Sequence, residues 1–256
     1  GAAVSAAPRR AFLVAGLGYG DEGKGTTIDW LARRYSAKLV VRYNGGAQAG
    51  HNVVLPDGTH HTFSQFGAGT FAGACTFLSR HVVVNPATML REAEVLAAVV
   101  QNPLLSVAVD EDALVTTRYH VAACRIRELA RGSGRHGSCG MGVNETVQDA
   151  ADGAPSLRAG DLRVMSRFEV ASRLRRIREH KVSQVRDVPE DVRTTEEFVA
   201  LRSAAFFDTI LDDLTEWARR VAIVPGEWLA EQLREPGAIL FEGAQGVLLD
   251  QMHGFF

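Results

Sequence analysis

Two carboxylates and a lysine share one glycine-rich turn: residues 16–25 read GLGYGDEGKG. A turn of this kind can aim backbone N–H groups at phosphate oxygens, and a helix starting behind it adds the positive end of its dipole. Lys24 would bring a point charge to the same phosphates. The spacing comes close to a P-loop, since four residues, Tyr19 to Glu22, separate Gly18 from Gly23-Lys24, but Gly25 occupies the position of the usual Ser or Thr hydroxyl. Asp21 and Glu22 would be repelled by bound phosphate unless they hold Mg²⁺ or take a substrate proton. The competing reading is a plain glycine turn with surface acids.

A second glycine loop, NGGAQAGHN at residues 44–52, carries His51. A histidine there could donate a proton or hydrogen bond to a phosphate leaving group while glycine carbonyls approach a metal. Taken alone, a loop histidine is more often a surface residue. Its place after a parallel strand, at the carboxyl edge of a sheet beside the first loop, points it to the same ligand. Lysine is otherwise rare: Lys24, Lys38 and Lys181 are the only three among 28 basic residues, so one inside a glycine turn stands out.

The elements that must position these loops are legible as alternating strands and helices. AFLVAGL at 11–17 is a short apolar run, and in TTIDWLARRY the residues Ile28, Leu31, Ala32 and Tyr35 fall on one helical face. KLVVRY at 38–43 is a second buried strand, so the spacing predicts a βαβ unit with the first two strands paired in parallel. Asp57-Gly58 marks a hairpin, and Asn85-Pro86 a helix N-cap and first turn before ATMLREAEVLAAVV. LLSVAVD predicts a strand and residues 119–130 a helix, followed by a loop with five glycines between Gly132 and Gly142. Beyond Asp161 the pattern is helical and arginine-rich, read as surface helices packed on the sheet. Arg173, Arg175, Arg176 and Arg178 alternate with Leu174 and Ile177 as a solvated amphipathic face would. AILFEGAQGVLLD, residues 238–250, is one more buried strand entering a glycine turn. The fold class is α/β, with a large mostly parallel central sheet, surrounding helices and a P-loop-like first loop; residues 1–10 read as a lead and 11–256 as one domain.

Composition narrows the partners. With 28 Lys and Arg against 30 Asp and Glu, the net charge of -2 provides no basic field for nucleic acid or an anionic membrane. At 46% hydrophobic and 23% charged the chain can bury a core, yet no apolar run approaches the roughly 20 residues of a membrane span. The three cysteines lack paired metal-ligand spacing, which fits a reducing, cytoplasmic setting.

In order, GYGDEGKGT, VVRYNGGAQAGHN, GSCGMGVNET and ILFEGAQGVLLD resemble four signature segments of the adenylosuccinate synthetase family, and the similarity runs from Phe12 to about Gly254. The resemblance implies an α/β homodimer that joins IMP to L-aspartate with GTP and Mg²⁺ through a 6-phosphoryl intermediate. By motif it assigns Asp21 as general base at purine N1 and Mg²⁺ ligand, His51 as the acid at the leaving GDP, and the Gly50 carbonyl to Mg²⁺. Gly20, Glu22, Gly23, Lys24, Gly25 and Thr26 would hold the nucleotide phosphates, and Gln48, Ser138, Cys139 and Gln245 the substrate. Departures fall on the monophosphate side: Gln48 replaces an Asn, Cys139 a phosphate-binding Thr, Met141 an Arg, and DGAPS at 152–156 the stretch of a dimer-crossing Arg. IMP itself is therefore expected to be a poor substrate. The family's remaining contacts to IMP, aspartate and guanine would lie beyond Phe256, so the isolated chain is expected not to complete ligation. The alternatives are a non-catalytic or partner-dependent nucleotide-binding fragment, and a simple phosphotransferase or NTPase using the same loop.

Overall fold

The computed structural model describes residues 8–134 and 139–249. Along the chain the elements run β1 (Arg10–Gly16), α1 (Lys24–Tyr35), β2 (Leu39–Arg42), β3 (Gly45–Gly46), β4 (His51–Val54), β5 (His60–Phe63), β6 (Cys75–Leu78), β7 (Val82–Val84) and α2 (Pro86–Leu96). There follow β8 (Val107–Asp110), β9 (Leu114–Val115), α3 (Arg118–Ala130), α4 (Val143–Ala151), β10 (Leu157–Arg158), α5 (Ala159–Val164), α6 (Arg167–Gln184) and α7 (Glu190–Arg193). The last are α8 (Glu196–Ser203), α9 (Phe207–Arg220), β11 (Ala222–Val224), α10 (Trp228–Arg234) and β12 (Ala238–Gly246).

Six strands form one parallel sheet in the order β1-β12-β2-β6-β8-β11. The expected direct pairing of β1 with β2 does not occur. β12 lies between them, with Phe12 paired to Leu240 on one side and Leu240 to Val40 on the other. A crossover helix fixes that two strands are parallel and in one sheet, and it leaves room for a later strand between them. β2 and β8 are buried along their whole length, as sheet-interior strands covered on both faces must be. β1 is the outer strand, and Leu13 on it is 69% exposed.

On one face of the sheet, Val40, Leu78, Val109 and Leu240 join the main core with Ile28 and Ala32 of α1. On the other, Leu39, Val41, Phe77 and Ile239 form a smaller cluster under α10, where Trp228 stacks on Phe77 at 5.3 Å between ring centroids. A second sheet runs β10-β9-β7-β3, and β4 and β5 form the hairpin expected at Asp57-Gly58. Asn85 caps α2 by accepting from the Thr88 N–H, with Pro86 in the first turn.

The arginine-rich helices pack on other helices more than on the sheet: α6 lies against α3 and α9, and α8 against α3. Nor are the α6 arginines merely solvated. Arg173 donates to Ser156 O at 2.9 Å, Arg178 to Leu201 O at 2.9 Å, and Arg175 stacks over Phe207. Two of the three lysines are tied to a helix end or into the interior. Lys38 donates to Gln232 O and so caps the carboxyl end of α10. Lys181, fully buried on α6, donates to Glu145 Oε2 at 2.9 Å, Asp149 Oδ1 at 2.7 Å and Gln184 Oε1 at 3.0 Å. These contacts tie α6 to α4.

Burial alone would raise the Asp149 carboxyl, but the His120 imidazole and the Lys181 ammonium outweigh it and hold it at about 2. Burial also pushes the His120 imidazole below its ordinary 6.5, against the opposing pull of Asp149. The signs follow by linkage. The unfolded chain takes up a proton at His120 below about pH 6.5, and at Asp149 below its ordinary 3.8, where the folded chain does not, so stability declines across both windows as the pH falls. Lys181→Met, which removes the buried cation shared by Asp149 and Glu145 and leaves Glu145 only the partly exposed Arg127, should cost about 3–5 kcal/mol in urea unfolding. Asp149→Asn should flatten the acid limb between about pH 4 and pH 2; an unchanged acid limb would contradict the assignment.

Candidate functional site

The first loop leaves β1 at Gly16 and enters α1 at Lys24 through left-handed backbone at Gly20 (φ 118°), Asp21 (φ 55°) and Gly23 (φ 75°). The Glu22 carboxylate closes the turn by accepting from Gly18 N at 2.7 Å. α1 begins with Gly23 as its cap and no side-chain cap, so its first N–H groups keep no side-chain acceptor. Lys24 is 5% exposed, yet it makes no hydrogen bond or ion pair among the described residues. Its stem is buried while its ammonium faces the cleft, and a cation beside an uncapped helix start makes a place for an anion. Gly25 has its own reason. A Cβ there would lie 2.9 Å from Asn52 O and 3.0 Å from the His51 carbonyl carbon, because β4 crosses the first turn of α1. The position that carries a hydroxyl in a P-loop is filled here by a neighbouring strand.

β12 draws the two loops together. Gly45, at φ 81°, lies so close to it that a Cβ would come within 2.5 Å of the Ala244 methyl, and Asn44 Oδ1 accepts from Ala244 N at 2.9 Å. At the other loop, a Cβ on Gly246 would fall 1.9 Å from Gly18 O, which also accepts from Leu248 N. Between them sits His51, 6% exposed. Its Nδ1 is 2.5 Å from Oε1 of Glu242, and its Nε2 is 3.2 Å from Ala244 O. Glu242 is completely buried and takes a second bond at Oε2 from Ala68 N, 3.0 Å away. Arg42, its register partner on β2, is also buried and donates to Phe66 O.

These elements enclose a cleft of about 490 Å³ at the carboxyl edge of the sheet. Its lining brings together Gly20, Asp21, Glu22, Gly23, Lys24, Gly25 and Thr26 with Gln48, Gly50, His51 and Gln245. Oε1 of Gln48 is buried there without a partner among the described residues. Cys139 is exposed and does not line the cleft; Ser138 lies outside the described residues. Motif reading passed over Glu242. Its signal was a single carboxylate in the apolar strand segment ILFEG, where burial demands a partner.

A parallel sheet whose carboxyl edge presents two glycine loops and an uncapped helix N-terminus around one cleft defines the class by its fold: an α/β protein with a cleft at the carboxyl edge of its central sheet. A family model for adenylosuccinate synthetase matches residues 13–256, and the chain belongs to that family. Similar curated proteins include the adenylosuccinate synthetases of Paraburkholderia phytofirmans, 32% identical over 99% of this chain and 54% of that protein, and of Desulfatibacillum aliphaticivorans, 31% identical over 95% and 54%. The chain thus spans about half the length of the relatives it matches. Among solved structures, it resembles a fully ligated adenylosuccinate synthetase from Plasmodium falciparum, with TM-score 0.74 and 19% identity over 96% of this chain and 54% of that one. A cyanophage S-2L succinoaminodeoxyadenylate synthetase matches with TM-score 0.51 and 19% identity over 97% and 55%.

The unpaired ammonium makes a signed prediction. Lys24→Met should leave the melting temperature of the nucleotide-free protein unchanged or raised, while lowering affinity for a nucleoside triphosphate about 10- to 100-fold in calorimetric titration. Gly25→Ala should destabilise by about 1–3 kcal/mol through its contact with β4. A lower melting temperature for Lys24→Met, with nucleotide affinity intact, would refute the anion site.

Proposed function

We propose that the cleft belongs to a GTP-dependent ligase that phosphorylates a 6-oxopurine-type, IMP-like acceptor and then exchanges that phosphate for an amine donor such as L-aspartate. The observation that carries this reading is the buried, unpartnered Lys24 at the uncapped start of α1, inside a cleft that also contains Asp21 and His51. Charge and backbone N–H groups converge where the triphosphate would lie. Asp21 takes the proton from purine N1, which makes O6 nucleophilic toward the γ-phosphoryl group. His51 supplies a proton to the departing diphosphate. The O6–phosphate bond then makes C6 open to attack by the amine, and inorganic phosphate leaves. One base and one acid serve the first transfer.

Mg²⁺ fits the same arrangement as an ion carried in by the phosphates. No group of three or more His, Cys, Asp or Glu side chains comes together among the described residues, and a phosphate-borne Mg²⁺ needs only one or two protein carboxylates. Asp21 and the Gly50 carbonyl, both in the cleft lining, would hold it, and the ion would neutralise phosphate charge.

The energy donor is assigned as GTP by family. The cyanophage structure is described with dGMP and with dATP as an energy donor, so in that protein an adenine nucleotide fills the donor role. The homodimer and the cytoplasmic setting belong to the same proposal. No helix of the described residues is long and apolar enough to cross a membrane.

Asp21→Asn and His51→Ala should each lower GDP formation in the presence of acceptor by about 10²–10⁴-fold without loss of fold. The assay uses the chain alone and the chain supplied with the family's C-terminal region. Unchanged turnover in either variant would remove that residue from the chemistry.

A further inference from the structure

We infer that Glu242 is a positioning residue that enables His51 to give up its Nε2 proton, acting from behind the cleft it does not line; the inference rests on the reading of His51 as the proton donor. Ala244 O can only accept a hydrogen bond, so the contact at 3.2 Å requires a proton on Nε2. On the other side of the ring, Nδ1 and Glu242 Oε1 at 2.5 Å share a second proton between them. The pair therefore holds two protons across Nε2, Nδ1 and Oε1.

This count decides what the histidine can do. When Nε2 passes its proton to a phosphate oxygen of the leaving diphosphate, the shared proton settles on Nδ1. The ring is left neutral and hydrogen-bonded to a carboxylate. No other proton has to move. Without an acceptor at Nδ1, the same transfer would strip the ring of its last proton. The Ala68 N–H, donating to Oε2 at 3.0 Å, fixes the carboxylate plane so that Oε1 faces the ring. Burial of both partners keeps water from substituting for either bond.

A purely structural role, stapling the loop at Ala68 to β4, would need only the shape and the hydrogen bonds. Glu242→Gln separates the two. Its amide oxygen can still accept from Ala68 N, and its NH₂ can donate to Nδ1, which leaves His51 neutral with its proton on Nε2. Every bond survives, but release of that proton would now leave an imidazolate. The expected result is a fall in kcat for GDP formation of about 10²-fold or more, with KM for the nucleotide nearly unchanged. Glu242→Asp, which restores a carboxylate, should recover part of the rate.

A second readout needs no turnover. In proton NMR of the folded chain, the shared Nδ1–Oε1 proton should give a low-field resonance that disappears in Glu242→Gln and persists in Glu242→Asp. Absence of that resonance in the unsubstituted chain would overturn the inference, as would a wild-type kcat for Glu242→Gln alongside an inactive His51→Ala. If His51→Ala and Glu242→Gln both turn over normally, it is the assignment of His51 that fails. If Glu242→Gln does not fold, the Glu242→Asp rate and the resonance decide: a folded Asp variant with neither overturns the role.

Discussion

The site depends on one topological constraint, the insertion of β12 between β1 and β2. Among the described residues β1 pairs with no other strand, so the strand that launches the first glycine loop is held in place by a strand more than two hundred residues later in the chain. The same strand delivers Glu242 to His51, accepts the Asn44 side chain at Ala244 N, and packs Gly246 against the Gly18 carbonyl. Two glycine loops far apart in sequence from β12 become one cleft with it because that strand touches both. Close backbone approach makes this possible, which is why glycine stands at 45 and 246, where any side chain would meet β12 or the first loop.

Within that frame, the uncapped start of α1 and the Lys24 ammonium face one cleft, and in the proposed reaction a phosphate would satisfy both. The contact between Gly25 and β4 has a related consequence. It brings His51 against the first turn of α1, at the cost of the hydroxyl that a P-loop would place there. The catalytic histidine of the proposed reaction and the phosphate cradle are thus two sides of one packing contact.

Much of this was legible in the sequence. Short apolar runs alternating with helical periodicity carried the α/β class, and Asn85-Pro86 and Asp57-Gly58 marked a cap and a hairpin that the structure contains. The two glycine loops pointed to their shared ligand edge because parallel strands open at the same end. Strand order was not legible: local pattern shows that residues 238–246 form a buried strand, but nothing local says which gap it fills. The amphipathic face of α6 was legible, with Leu174 and Ile177 buried and Arg175 and Arg176 exposed, but local pattern could not show that Arg173 and Arg178 donate to the carbonyls of Ser156 and Leu201. Glu242 was in view within a quoted motif, and its burial was the missing fact. The scarcity of lysine singled out Lys24, which lines the cleft, and the other two also have defined places, since Lys38 caps a helix and Lys181 anchors a buried acidic pair.

The claim at the centre of this account is that β12 and the start of α1 form one phosphate-binding edge. Amide resonances followed by NMR during titration with GDP, and separately with guanosine, test it most directly. GDP should shift the amides of Gly23, Lys24, Gly25 and Gln245 together at one apparent affinity, while guanosine, which lacks the phosphates, leaves the α1 amides in place. GDP shifts confined to another surface, with residues 23–26 unmoved, would contradict it.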